Sequence, residues 1–112
     1  MALRSINPAT EEVIQEFEEL TSGQIDQKLA AAAAAFEQWR TTSFEERTKL
    51  MKRAAEVLRR QKPELAAIMT SEMGKTISAA EAEVEKCAAT CDYYADNTAK
   101  FLAPEPIKTD AG

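Results

Sequence analysis

Between Leu29 and Phe36 the chain contains only alanine, from Ala30 to Ala35, and that run constrains its fold more than any other feature. Alanine is the best helix former but contributes little buried area. With no large side chain in the way, such a segment permits close approach of a neighbouring helix or sheet. The bias is not local. Alanine makes up 21 of the 112 residues, so the 45 % hydrophobic fraction overstates what is available for burial. The expected product is a mainly α-helical chain with a thin core. One domain at most fits this length, and a domain near 100 residues buries roughly two-thirds of its unfolded surface.

Composition excludes several functions. There are 14 Lys+Arg against 19 Asp+Glu, a formal charge of −5, and the sequence pI is near 4.8. With no basic stripe, little is present to neutralise phosphates, and no nucleic-acid partner is expected. No apolar run approaches the ~20 residues that span a bilayer, so no membrane partner is expected. The amino terminus lacks the apolar stretch of a signal peptide. No His is present, which removes His–Asp triads, His general bases and most zinc sites. Two cysteines make no disulfide framework, so the default setting is reducing and cytoplasmic.

Residues 1–20 differ from the rest. Leu3 to Ile6 is extended and stops at Asn7-Pro8, because proline forces its predecessor away from the helical region. Val13 to Glu18 carries strand formers, with Val13, Gln15 and Phe17 on one face, which predicts a β-hairpin. Two strands alone are marginal in water, so the hairpin needs a surface to lie against.

Residues 21–103 are predicted to be helical. Thr21 with Gln24 has the form of a capping box, followed by Ile25, Leu29, Ala32, Phe36 and Trp39 on one face. Ser43 with Glu46 repeats the cap. Leu50, Ala54, Val57 and Leu58 form the apolar stripe of this second helix, and Arg47, Lys49, Lys52, Arg53, Arg59 and Arg60 its wet positions. Pro63 interrupts or restarts the helix. Leu65, Ile68 and Met69 carry a third one, which Gly74 closes in the left-handed conformation. The last long helix is expected from near Ser78, with Glu81 three residues on. Its face is Val84, Cys87, Cys91, Tyr94, Thr98 and Phe101, and Pro104 and Pro106 end it. Residues 104–112 have the character of a linker or a strand entrance.

The candidate chemistry is sparse. Cys87 and Cys91 lie one turn apart on one face and could meet a soft metal or a peroxide. They supply only two ligands where structural zinc takes four, so two small side chains in a helix interface is the favoured reading. Glu81, Glu83 and Glu85 point in different directions and form a solvated face. Gly74-Lys75-Thr76 echoes the end of a phosphate-binding loop. Position 69, however, is Met where that loop needs glycine, and the preceding segment is helical. Gly23 and Gly74 are too far apart for a dinucleotide glycine fingerprint. Phe36 and Trp39 could anchor a partner, but core or an intramolecular interface is the favoured reading. No catalytic apparatus emerges from the residues alone.

The ordered set of short motifs is more specific than any one of them. Ile6-Asn7-Pro8-Ala9-Thr10 opens the chain, and Ala35-Phe36 with Trp39-Arg40 closes the Ala-rich helix. Glu46-Arg47 with Leu50 follows, then Glu64-Leu65-Ala66, Glu72-Met73-Gly74-Lys75, Glu83-Val84 and Tyr93-Tyr94-Ala95. Over nearly the whole chain this order resembles the amino-terminal portion of the NAD(P)-dependent aldehyde dehydrogenase superfamily. Glu72-Met73-Gly74-Lys75 and the stretch from Cys87 to Tyr94 make it most similar to the succinate-semialdehyde dehydrogenases.

The resemblance implies part of an α/β fold, with residues 21–103 the helical part of a nucleotide-binding domain and residues 104–112 leading toward an oligomerisation strand. It implies an enzyme that oxidises a semialdehyde, with succinate semialdehyde the expected one, to its acid. A cysteine thiolate adds to the carbonyl, hydride passes to NAD or NADP, and a glutamate activates the water that hydrolyses the thioester. In that family the nucleophile, base and cofactor site lie downstream of the matched part, and neither Cys87 nor Cys91 fits the nucleophile's motif. These residues are therefore expected to be scaffold, to bind no cofactor and to be inactive alone. Their expected partners are the remainder of the chain and, in the parent enzyme, further copies in a homo-oligomer. Some members hold a monovalent cation with backbone carbonyls near the Ile6-Asn7 position and the acidic residue before Gly-Lys, which here is Glu72. Two alternatives stay open: a free-standing helical interaction module binding through Ile25, Leu29, Phe36 and Trp39, and a redox sensor using Cys87 and Cys91.

Overall fold

A computed structural model describes residues 3–110. A two-stranded antiparallel hairpin leads into four helices. Strand β1 is Leu3–Ile6 and β2 is Val13–Phe17, and the helices are α1, Ser22–Trp39; α2, Phe44–Arg60; α3, Lys62–Met73; and α4, Ile77–Phe101. The expected class, mainly α with an amino-terminal hairpin, is what the chain adopts.

Leu3 faces Phe17 and Ser5 faces Gln15 across the hairpin, with a register shift between Ser5 and Ile6. Asn7 organises the connection. Its side-chain oxygen accepts from Ala9 N at 2.9 Å, and its carbonyl accepts from Glu11 N at 2.8 Å. Glu11 takes a left-handed φ of 63°, the turn that lets Asn7 N donate back to the Glu12 carbonyl at 2.9 Å.

Both expected capping boxes form, Thr21–Gln24 on α1 and Ser43–Glu46 on α2. Thr41 and Thr42 hydroxyls bond the Gln38 and Trp39 carbonyls and finish α1. Gln61 ends α2 and begins α3, which has proline in its first turn. Gly74 closes α3 at φ 68°, where any other residue would be strained. Helix α4 starts at Ile77, beside the expected Ser78. Thr76 is its N-cap, without a side-chain hydrogen bond, so Ser78 and Glu81 form no capping box.

Helix α4, 25 residues or about 37 Å long, is the spine of the molecule. α2 and α3 follow one another along it and pack mainly against it rather than against each other. The seam is made mostly of alanine: among the described residues Ala55 from α2, Ala66 from α3, and Ala80, Val84, Ala88 and Ala95 from α4 are buried. This corrects the expected stripes. On α2, Leu50 and Val57 are exposed and Ala55 is buried; on α3, Ile68 is exposed and Ala66 is buried. On α4, Cys87, Tyr94 and Phe101 are exposed, and only Val84 of the expected face is buried. Large apolar side chains mark the wrong face when helices approach through their smallest residues.

Helix α1 and the hairpin lie outside this seam, and α1 contributes no buried residue. Phe36 and Trp39 are therefore not core, contrary to expectation. The radius of gyration is 20.4 Å, against about 13 Å for a compact domain of this length. The accessible surface is 9319 Å², against roughly 6,100 Å² for a compact monomer of this mass.

Candidate functional site

A polar contact ties the hairpin to α3. Ser5 Oγ donates to Glu72 Oε1 at 2.6 Å, joining β1 to the end of α3. Just beyond, Gly74 is so close to the loop that a Cβ there would lie 3.2 Å from Pro8 Cγ. Glu72, the expected cation ligand, thus stands beside β1 with one carboxylate oxygen engaged by Ser5. Among the described residues no group of three or more His, Cys, Asp or Glu side chains is placed to hold a metal ion.

Gly74-Lys75-Thr76 is no phosphate cradle. Gly74 serves as the α3 cap, and Lys75 is committed to Glu83, whose carboxyl that bond holds below its ordinary range. Gly23 lies in open space at the start of α1.

A ladder of ion pairs crosses the helices. Arg59 bonds Glu85 Oε1 and Asp92 Oδ2, each at 2.8 Å. Lys62 reaches Glu85 Oε2 at 3.1 Å, and Lys52 reaches Asp96 at 2.8 Å and Asp92 at 3.4 Å. Hydrogen bonds from Arg59 and then Lys62 depress Glu85, and those from Arg59 depress Asp92. Asp96 is the main cause of a raised Lys52, and Glu85 of a raised Arg59. The Thr48 hydroxyl adds a bond to the Ala95 carbonyl at 3.1 Å. Lys52 and Arg59 were expected to be merely wet; their place at the seam was the signal missed. It was present as a basic α2 facing an acidic α4.

The remaining feature is apolar. Ile25, Leu29, Phe36 and Trp39 share the expected face of α1, and Leu29 is 64 % and Trp39 45 % exposed. Arg47 covers one side of Trp39, with its guanidinium carbon 5.0 Å from the ring centre and a bond to the Trp39 carbonyl. Trp39, Phe44, Leu50, Met51, Tyr94 and Leu102 line a groove of about 290 Å³ at the junction of α1, α2 and α4. These side chains together leave an apolar surface exposed. Cys87 is exposed; Cys91, between the buried Ala88 and Ala95 on α4, is half-buried. No helix among the described residues is long and apolar enough to cross a membrane.

Comparison with known proteins places this arrangement. A probable succinate-semialdehyde dehydrogenase (NADP+) of Synechocystis sp. is 41 % identical over 111 residues, 99 % of this chain and 24 % of that protein. Succinate-semialdehyde dehydrogenase (NADP+) 1 of Mycobacterium bovis is 42 % identical over 95 % of this chain and 23 % of its own length. The crystal structure of succinic semialdehyde dehydrogenase from Streptococcus pyogenes, in complex with NADP+, superposes with a TM-score of 0.89 and 37 % identity, over 97 % of this chain and 24 % of that one. The chain therefore spans about a quarter of the length of the relatives it matches. The family model described as the aldehyde dehydrogenase family matches residues 1–112 throughout, and the chain belongs to that family.

Proposed function

We propose that these residues are the amino-terminal scaffold of an NAD(P)-dependent aldehyde dehydrogenase that oxidises succinate semialdehyde to succinate, and that by themselves they are catalytically inert. The observation that carries this reading is the unburied stripe Ile25, Leu29, Phe36 and Trp39, on a helix whose ends are fully capped. A helix so well specified locally, yet with no buried residue, is one half of a joint. The remainder of an aldehyde dehydrogenase chain is the proposed other half, within a soluble, cytoplasmic homo-oligomer. The relatives of this chain supply the substrate and the cofactor class, and both are NADP+ enzymes by name.

The role of the chain's own residues is mechanical. The α2–α4 unit holds its shape through the alanine seam and the ion ladder, and presents α1 and the hairpin for docking. Glu72, with backbone carbonyls near Ile6 and Asn7, is proposed to serve a monovalent cation, an all-oxygen donor set that suits a hard ion. Potassium then raises the melting temperature of the chain, and Glu72→Ala removes that rise.

The main reading is tested by aldehyde-dependent NADP+ reduction on the 112-residue polypeptide, where no turnover is expected. Turnover abolished by Cys87→Ala or Cys91→Ala overturns it. The codons after Gly112 provide a second test. The proposal expects an open frame running on to a glycine-containing cofactor loop and a further cysteine. A stop codon there, with a monomer that melts sharply, favours the interaction module instead.

A further inference from the structure

No residue of α1 is buried, so the direction in which its apolar face points is set where the helix begins and ends. At its start, residues 18–21 run to the hairpin without regular structure. At its end, residues 40–43 turn directly into α2. A helix of 18 residues is about 27 Å long, so a swing of about 15° at this corner carries its far end by about 7 Å. Whatever fixes the corner aims the face.

Arg47 stands at that corner. Its own N–H makes the first backbone bond of α2, to the Ser43 carbonyl at 3.1 Å. A cation gains nothing from the dipole at a helix start, and is favoured at a helix end. α1 has no basic residue in its own last turn, and the Arg47 guanidinium supplies that cation from the next helix. Arg47 Nη2 donates to the Trp39 carbonyl at 2.8 Å, and Nε donates to Thr42 Oγ1 at 2.8 Å. The Thr42 hydroxyl donates in turn to the same Trp39 carbonyl at 2.7 Å, which closes a ring of three hydrogen bonds. The guanidinium carbon also lies over the Trp39 ring, 5.0 Å from its centre. One side chain thus joins the last residue of α1, the corner and the first turn of α2. A planar fork with two donors closes such a ring; a lysine ammonium, a point charge on a flexible stem, does not.

We propose that Arg47 is the positioning residue that locks the α1–α2 corner, and so aims the apolar face of α1 toward the remainder of the chain. The aim rests on the reading of α1 as half of a joint; the lock does not. A face held in its docking direction beforehand loses less freedom when the joint closes. The lock sets direction and not protection: α1 still buries nothing, and its amides open locally as in any lightly packed helix.

The test is a spin-label distance measurement on the 112-residue chain, with nitroxides at Gln27→Cys on α1 and Glu56→Cys on α2, and both native cysteines replaced by serine. Gln27 and Glu56 are exposed. With Arg47 in place, one narrow distance distribution is expected. Arg47→Met and Arg47→Lys each widen it about twofold or more, lysine included because charge without the fork leaves the ring open. Thr42→Val keeps Arg47 but removes one link, and widens the distribution by a smaller factor. The urea midpoint of the α2–α4 transition stays in place in all three variants, because neither Trp39 nor Thr42 is among the buried seam residues. A merely structural role would lower that midpoint. A distribution that stays narrow in Arg47→Met or in Arg47→Lys overturns the proposal, and so does widening that comes only with a lowered midpoint. These outcomes are read on the chain by itself, whereas the scaffold reading fails separately, by aldehyde turnover.

Discussion

Helices α1 and α2 begin alike and end up in opposite circumstances. Each opens with a complete capping box, and each carries apolar residues at helical spacing. Yet α2 packs along α4 and buries Ala55, while α1 buries nothing. Local signals decide that a helix forms; they do not decide whether its apolar face has a partner. In most proteins packing of the amphipathic face supplies the greater part of helical stability. α1 is therefore the region whose stability rests most on caps and alanine propensity, and α2–α4 the region that folds as a unit.

The largest effect separates the two regions outright. Val84 is 1 % exposed and is the largest fully buried side chain, so Val84→Asp should cost about 3 kcal/mol or more in a urea melt followed by circular dichroism. Leu29→Asp, a similar insult on the α1 stripe, should change the same melt by no more than about 0.5 kcal/mol. Equal effects would break the comparison. Next in size is the cap. Ser43→Ala should remove about 1 kcal/mol from the cooperative transition, whereas Thr21→Ala should lower helix content without moving the midpoint.

Acid weakens the α2–α4 region. Glu83, Glu85 and Asp92 titrate below their ordinary values, 4.5 for the glutamates and 3.8 for the aspartate. Their contribution is present above those values and lost as pH falls through the lower folded ones. The α2–α4 transition should therefore weaken between pH 5 and pH 3. The raised Lys52 acts oppositely, contributing below 10.5 and losing its contribution as pH climbs past that value. Smallest is Arg59→Gln, a modest fall in melting temperature at low salt that vanishes at roughly 1 M NaCl, because the pairs are partly exposed and screened.

Much of this was legible in the sequence. Thr21–Gln24, Ser43–Glu46, Asn7-Pro8, Pro63 and Gly74 act locally, so the hairpin, both caps and all four helices could be placed without a structure. The packing faces could not. A stripe such as Leu50, Ala54, Val57 and Leu58 assumes that the largest side chains point inward, whereas an alanine seam places Ala55 and Ala88 there instead. Ser5 and Glu72 are 67 residues apart, so no local signal joins them; only the resemblance set Glu72 near Ile6 and Asn7. The motif order around Glu72-Met73-Gly74-Lys75 located the family because it does not depend on which face is buried. The apolar face of α1 was visible as a stripe, but only its exposure shows that none of the described residues covers it.

Amide hydrogen exchange on the 112-residue chain tests the division most directly. Amides along the interior of α2, α3 and α4 should exchange together, at the rate of global unfolding, while those of α1 and the hairpin should exchange orders of magnitude faster. Protection of α1 equal to that of α4 would mean that its apolar face is satisfied within this chain, and would contradict the account.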